Sequence, residues 1–205
     1  LGLGATATWT NALGGRWDVP LNWSTHLVPD FTDVEVSLPG AYTISNLTAV
    51  VLTGFAYNNP SGTIGGPGSL TVMGPLAWRA GSFTGPAGGS LTSAGALLID
   101  GPGAAHPKLL GRPLINTGPG AWVDGAALTL SPGGVISNLL GATLNVQGDG
   151  AIANAGGAGG LFNAGLLQKV AGSGDFAVDV PWHNTGTLGV ETGTLAFGQA
   201  GTNNG

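Results

Sequence analysis

The feature that most constrains this chain is a short phrase that returns at nearly constant spacing. An apolar or β-branched pair leads into Asn, usually followed by a small residue and Gly. It reads Leu114-Ile115-Asn116-Thr117-Gly118, Val135-Ile136-Ser137-Asn138, Leu161-Phe162-Asn163-Ala164-Gly165 and Trp182-His183-Asn184-Thr185-Gly186, and Asn203-Asn204-Gly205 falls where it would come again. The Asn-to-Asn steps are 22 (116 to 138), 25 (138 to 163), 21 (163 to 184) and 19 (184 to 203). A unit this short cannot bury an apolar face alone. It does so by stacking on its neighbours, which makes the chain a solenoid.

The text between the phrases consists of apolar or alternating runs of three to five residues bounded by Gly or Asn, as in β-strands, and no 3.6-residue period runs over a useful length. One coil reads as Leu114–Asn116, Ala121–Asp124 and Ala127–Leu130, another as Trp182–Asn184, Thr187–Glu191 and Thr194–Phe197. The expectation is an all-β fold: a single-stranded parallel β-helix with about 20–22 residues and three short strands per coil, and nine or ten coils in 205 residues. Asn at the bend between strands fits a corner that needs positive φ, and amides repeating at one corner can bond up and down the stack. Asn116, Asn138, Asn163 and Asn184 are therefore expected in one column; Asn154, only 9 residues before Asn163, is not.

Residues 1–40 read differently from the coils of 41–205. Trp9, Trp17 and Trp23 crowd this opening segment and are expected to plug the open apolar end of the first coil, as a solenoid terminus requires. A sugar-stacking platform is the competing reading.

Composition excludes several classes. With 40 Gly and 13 Pro the chain nears low-complexity values, yet 42% of residues are hydrophobic and only 7% charged, the reverse of a disordered chain. The five cations, Arg16, Arg79, Lys108, Arg112 and Lys169, are scattered and the net charge is -5, so nucleic acid is not an expected partner. No Cys is present, and His26, His106 and His183 are too dispersed for a zinc site. Asp175 and Asp179 could share a strand face, but two carboxylates across a cleft are needed for glycoside hydrolysis and no repeated Asp motif builds calcium sites. No catalytic residue, metal or cofactor is expected. No apolar run approaches the length of a membrane span. The start at Leu1 reads as a mature or excised piece of a longer product.

The run Leu161-Phe162-Asn163-Ala164-Gly165, Lys169, Gly172-Ser173-Gly174, Val180-Pro181-Trp182-His183-Asn184-Thr185-Gly186-Thr187-Leu188 and Thr192-Gly193-Thr194-Leu195 resembles the β-strand-repeat exoproteins of bacteria. Gly111-Arg112-Pro113-Leu114-Ile115-Asn116 and the opening Gly15-Arg16-Trp17-Asp18, Asn22-Trp23-Ser24, Val28-Pro29 and Asp33-Val34 are similar to other elements of that family. The resemblance covers most of the chain. It implies a right-handed parallel β-helix within a large exported surface or matrix protein, like filamentous haemagglutinins and autotransporter passengers. The expected role is structural or adhesive and non-enzymatic, extracellular or at the cell surface. The partners would be further β-helix of the same chain, end-to-end self-association, or surface glycans. The alternative is a carbohydrate-binding or polysaccharide-cleaving β-helix. Trp182-His183, where Phe-Asn is usual, departs from the pattern and marks a possible contact.

Overall fold

A computed structural model describes residues 5–85, 88–103, 105–157 and 159–205. The chain winds as a β-solenoid of about 8 turns, built of parallel strands with almost no helix. Fewer turns form than division of the length by the repeat suggests. Residues 5–32 hold only the two-residue strands Ala7–Thr8 and Gly15–Arg16 and the 3-10 turn Pro20–Asn22, and corner loops absorb more of the chain.

Each turn crosses three faces. The first face is an eight-stranded sheet, Val50–Leu52, Leu70–Val72, Leu91–Ser93, Pro113–Asn116, Val135–Asn138, Gly160–Asn163, Trp182–Asn184 and Gly201–Asn203. Registered partners along it are Val50, Leu70, Leu91, Leu114, Ile136, Leu161, Trp182 and Gly201, steps of 20, 21, 23, 22, 25, 21 and 19 residues. The second face ends in Pro119–Val123, Thr143–Gln147, Leu166–Ala171 and Thr187–Val190, and the third in Ala127–Leu130, Gly150–Asn154, Asp175–Val178 and Thr194–Phe197. Toward the N-terminus these two faces share the strands Gly54–Gly65 and Leu76–Phe83, each of which bends around a corner. In Gly54–Gly65 the register slips at Asn58.

Alternation along each strand sends one set of side chains inward. Leu52, Val72, Leu114, Ile136 and Leu161 of the first face meet Ile99, Leu144 and Val146 of the second and Leu128, Ile152 and Val178 of the third in one continuous core. At the N-terminal end aromatic rings fill that core. Trp23 packs edge-on against Trp9 at 5.0 Å and Trp17 at 4.6 Å, Trp17 reaches Phe55, and Tyr57, Phe83 and Trp78 continue the stack. The buried indole N–H groups find carbonyls: Trp9 on Asn11, Trp17 on Pro29 and Trp23 on Trp17. An apolar ring can therefore be buried without orphaning its donor.

The opening segment also occupies the strand edges of the first turns. Ala7–Thr8 pairs with Val34–Glu35 and Gly15–Arg16 with Ile44–Ser45. On the first face Phe31 donates to the Val51 carbonyl, and the Val51 N–H is taken by Asp30. These pairings are parallel, as is that of Asp33–Val36 with Gly54–Tyr57, so parallel pairing begins well ahead of residue 41.

The positive-φ account of the asparagines is overturned. Among described non-glycine residues only His26, Phe31 and Asp124 have positive φ. The recurring asparagines are the last, extended residues of their strands and point inward. The glycine two residues later is demanded by close approach instead. A Cβ on Gly118, Gly165 or Gly186 would collide with the carbonyl of the turn before, at Gly95, Ala142 and Gly165 respectively.

Candidate functional site

The recurring phrase builds one polar line through an apolar rod. Asn116 Nδ2 donates to Asn138 Oδ1 at 2.9 Å, Asn138 to Asn163 at 2.8 Å, Asn163 to Asn184 at 2.6 Å and Asn184 to Asn203 at 2.7 Å. The same amides donate to backbone carbonyls at the corner: Asn116 to Gly118 and Thr143, Asn138 to Leu166, Asn163 to Gly165 and Thr187, and Asn184 to Gly186. Asn is the right residue because it carries two donors and an acceptor on a short stem, enough for one neighbour on each side and a bend. Asn154 ends a third-face strand, exposed, and accepts from the Gly156 N–H.

At its N-terminal end the line stops at Ser93, the register partner of Asn116. The Ser93 hydroxyl turns to the Gly95 carbonyl, and Asn116 Oδ1 is buried without a partner. Beyond Ser93 the same register positions hold Val72 and Leu52. At its C-terminal end it runs out to Asn203, which is exposed.

Sequence reasoning missed what the cations do. Arg112 is 1% exposed and grips the carbonyls of Gly66, Gly68 and Thr84. Lys108 donates to the carbonyls of Gly101 and His106, and burial pushes its amine down to about 8, with Asp100 opposing weakly. Lys169 is fully buried and binds Asp149 at 2.7 Å together with the Gly148 and Ala171 carbonyls. Asp149 Oδ2 accepts from the Gly174 N–H at 3.0 Å, and the Lys169 hydrogen bond, above all, holds its carboxyl below the ordinary carboxylate range. These side chains close corners where successive turns leave carbonyls without strand partners. Their isolation along the sequence was the only available signal.

The remaining acids and histidines are dispersed. Asp175 opens a third-face strand and Asp179 follows it, both exposed, while the nearest candidate cation, Lys169, is committed to Asp149. His106 contacts the Pro102 carbonyl and His183 the Thr202 hydroxyl. Among the described residues no group of three His, Asp or Glu side chains is placed to hold a metal ion, and no helix is long and apolar enough to cross a membrane.

The two ends differ in what they leave open. At the C-terminal end Thr187–Val190, Thr194–Phe197 and Gly201–Asn203 are each the last strand of their face, with one neighbour apiece. Trp182, Leu188, Leu195 and Phe197, which belong to the core, are only partly buried there. No protein-family model matches the chain, and neither a curated protein nor a solved structure matches it.

Proposed function

We propose that this chain is a non-enzymatic structural or adhesive segment of an exported surface or matrix protein, whose C-terminal face takes a second copy of the solenoid end to end. The observation that carries this reading is the open last turn: three strand edges, half-exposed core side chains and a terminal Asn203 amide with a donor to spare. Such an edge is a template for further strands. At the opposite end the Trp9–Trp23 segment occupies the strand edges of the first turns. The absence of Cys is compatible with export.

Two measurements test it. Sedimentation at rising concentration should reveal end-joined particles, and Leu195→Lys, which charges the open face, should return the protein to monomers. A protein that stays monomeric at every concentration removes self-association. Turnover of an acidic polysaccharide, abolished by Asp175→Asn, would overturn the non-enzymatic reading.

A further inference from the structure

The outward row of the first face carries an unusual element near the C-terminal end. In register it runs Ile115, Ser137, Phe162, His183 and Thr202. Phe162 is 49% exposed although it sits mid-strand on a flat sheet. Its ring does not stand off the surface. It leans back along its own strand over Gly160, where an added Cβ would lie 3.2 Å from the ring edge. The floor is thus cut away under the aromatic ring, and the side chain stays half-exposed to solvent.

Around this ring lies a shallow cleft lined by Val135, Gly160, Phe162, Pro181, Trp182 and His183. The His183 ring is 6.4 Å from Phe162 at an interplanar angle of 57°. Its Nδ1 is engaged by the Thr202 hydroxyl, which leaves Nε2 with no protein partner among the described residues. Ser137 adds a hydroxyl on the other side of Phe162, one strand spacing (about 4.8 Å) away. Among the described residues no charged side chain lines the cleft.

We infer that this cleft is a binding site for neutral oligosaccharides, with a pyranose ring stacked on Phe162 and its hydroxyls reached by His183 Nε2 and Ser137. The chemistry selects that class. A sugar offers an apolar C–H face to an aromatic plane and a rim of hydroxyls to an imidazole. An acidic glycan would meet no cation here, on a chain whose net charge is -5. The row continues in register along the rod, so neighbouring sugar units of a chain would lie over Ser137 and Thr202. This inference deepens the adhesive reading and rests on it.

The test uses the whole chain and three neutral trisaccharides (chitotriose, cellotriose and maltotriose), with trigalacturonate as the acidic comparison. Binding is followed through the indole N–H resonance of Trp182 and the imidazole resonances of His183. At least one neutral trisaccharide should shift these signals saturably at millimolar concentration, and Phe162→Ala should weaken that binding roughly tenfold or more. Phe162→Trp should retain it, and His183→Ala should weaken it less than Phe162→Ala does. Since Phe162 and His183 point outward, matched thermal melts establish that the variants fold. Three results would each overturn the inference: no shift with any neutral trisaccharide up to about 10 mM, unchanged binding by Phe162→Ala, or trigalacturonate binding as well as the neutral sugars. A protein that forms end-joined rods yet ignores sugars sinks this inference alone. One that binds through Phe162 but never associates sinks only the rod-extension reading.

Discussion

The two halves of this rod solve the same packing problem with different materials. In the N-terminal half, the interior is crowded with Trp9, Trp17, Trp23, Phe55, Tyr57, Trp78 and Phe83, and the column beneath the first face is aliphatic, Leu52 then Val72. In the C-terminal half aliphatic side chains dominate and that column becomes five consecutive asparagines, Asn116 to Asn203. The aromatic half ends in a folded-over segment with its strand edges occupied. The amide half ends open. Non-directional ring packing can close an irregular end, because T-shaped contacts at many angles serve equally well. An amide column only works if every turn repeats the last, and so it belongs to the half whose first-face corners are alike.

The comparison can be broken most severely at the aromatic end. Trp23→Ala removes the ring that joins Trp9 to Trp17 and should cost about 4 kcal/mol. Because each turn contacts only its neighbours, hydrogen exchange should accelerate in residues 5–57 and stay unchanged beyond Thr143. Equal acceleration throughout would mean that the two halves unfold as one.

Next in size is a swap of material. Asn138→Leu gives the amide half the side chain that Leu52 supplies in the other half. It strips donors from Asn163 Oδ1 and the Leu166 carbonyl while burying comparable volume, and should cost about 3 kcal/mol in urea unfolding. A neutral result would reduce the column to ordinary core. The reverse swap, Ser93→Asn, sharpens the boundary. It offers the orphaned Asn116 Oδ1 a donor and should add about 1 kcal/mol, read as a rise in melting temperature. A fall would place the limit on the column in the space beside Val72 instead of in the missing amide.

The smallest effect concerns pH. Lys169 keeps the Asp149 pKa below its unfolded value, so the pair's contribution is complete above the ordinary carboxylate range and drains away as pH falls through the folded value. The stability gap between wild type and Asp149→Asn should close in acid. A gap independent of pH would mean that the charge of the Asp149 carboxylate contributes nothing to stability.

Much of the winding was legible in the sequence, because a side-chain chemistry repeated at one spacing can only mean register. The Asn116 and Leu161 phrases give the first face almost residue by residue. What was not legible depends on groups supplied by other turns. Asn58-Asn59-Pro60-Ser61 carries no trace of the recurring phrase, and it lies within the strand Gly54–Gly65, which bends around a corner and loses register there. Arg112 and Lys169 read only as scattered cations, and their burial follows from corner carbonyls 21 to 46 residues away, such as Gly148 and Gly66. The coil count failed for a related reason: loops such as 100–107 consume chain without adding a turn. The cleft at Phe162 left only a faint trace, the Trp182-His183 departure, because what opens it is the absent side chain of Gly160.

The bare α-carbons at Gly118, Gly165 and Gly186 act as a gauge for the pitch of the winding. Between the first and second faces the linker is never longer than the four residues from Leu139 to Ala142, whereas the stretch between Ile99 and Lys108 holds eight. A graft placed at 117–118 would have to pry adjacent turns apart, while one placed beside Gly103, where an added Cβ would meet nothing within 4 Å, would hang from the side of the rod. The corner that makes the winding regular is thus the one that cannot be decorated, and any new loop this scaffold is asked to display has two remaining edges on which to sit.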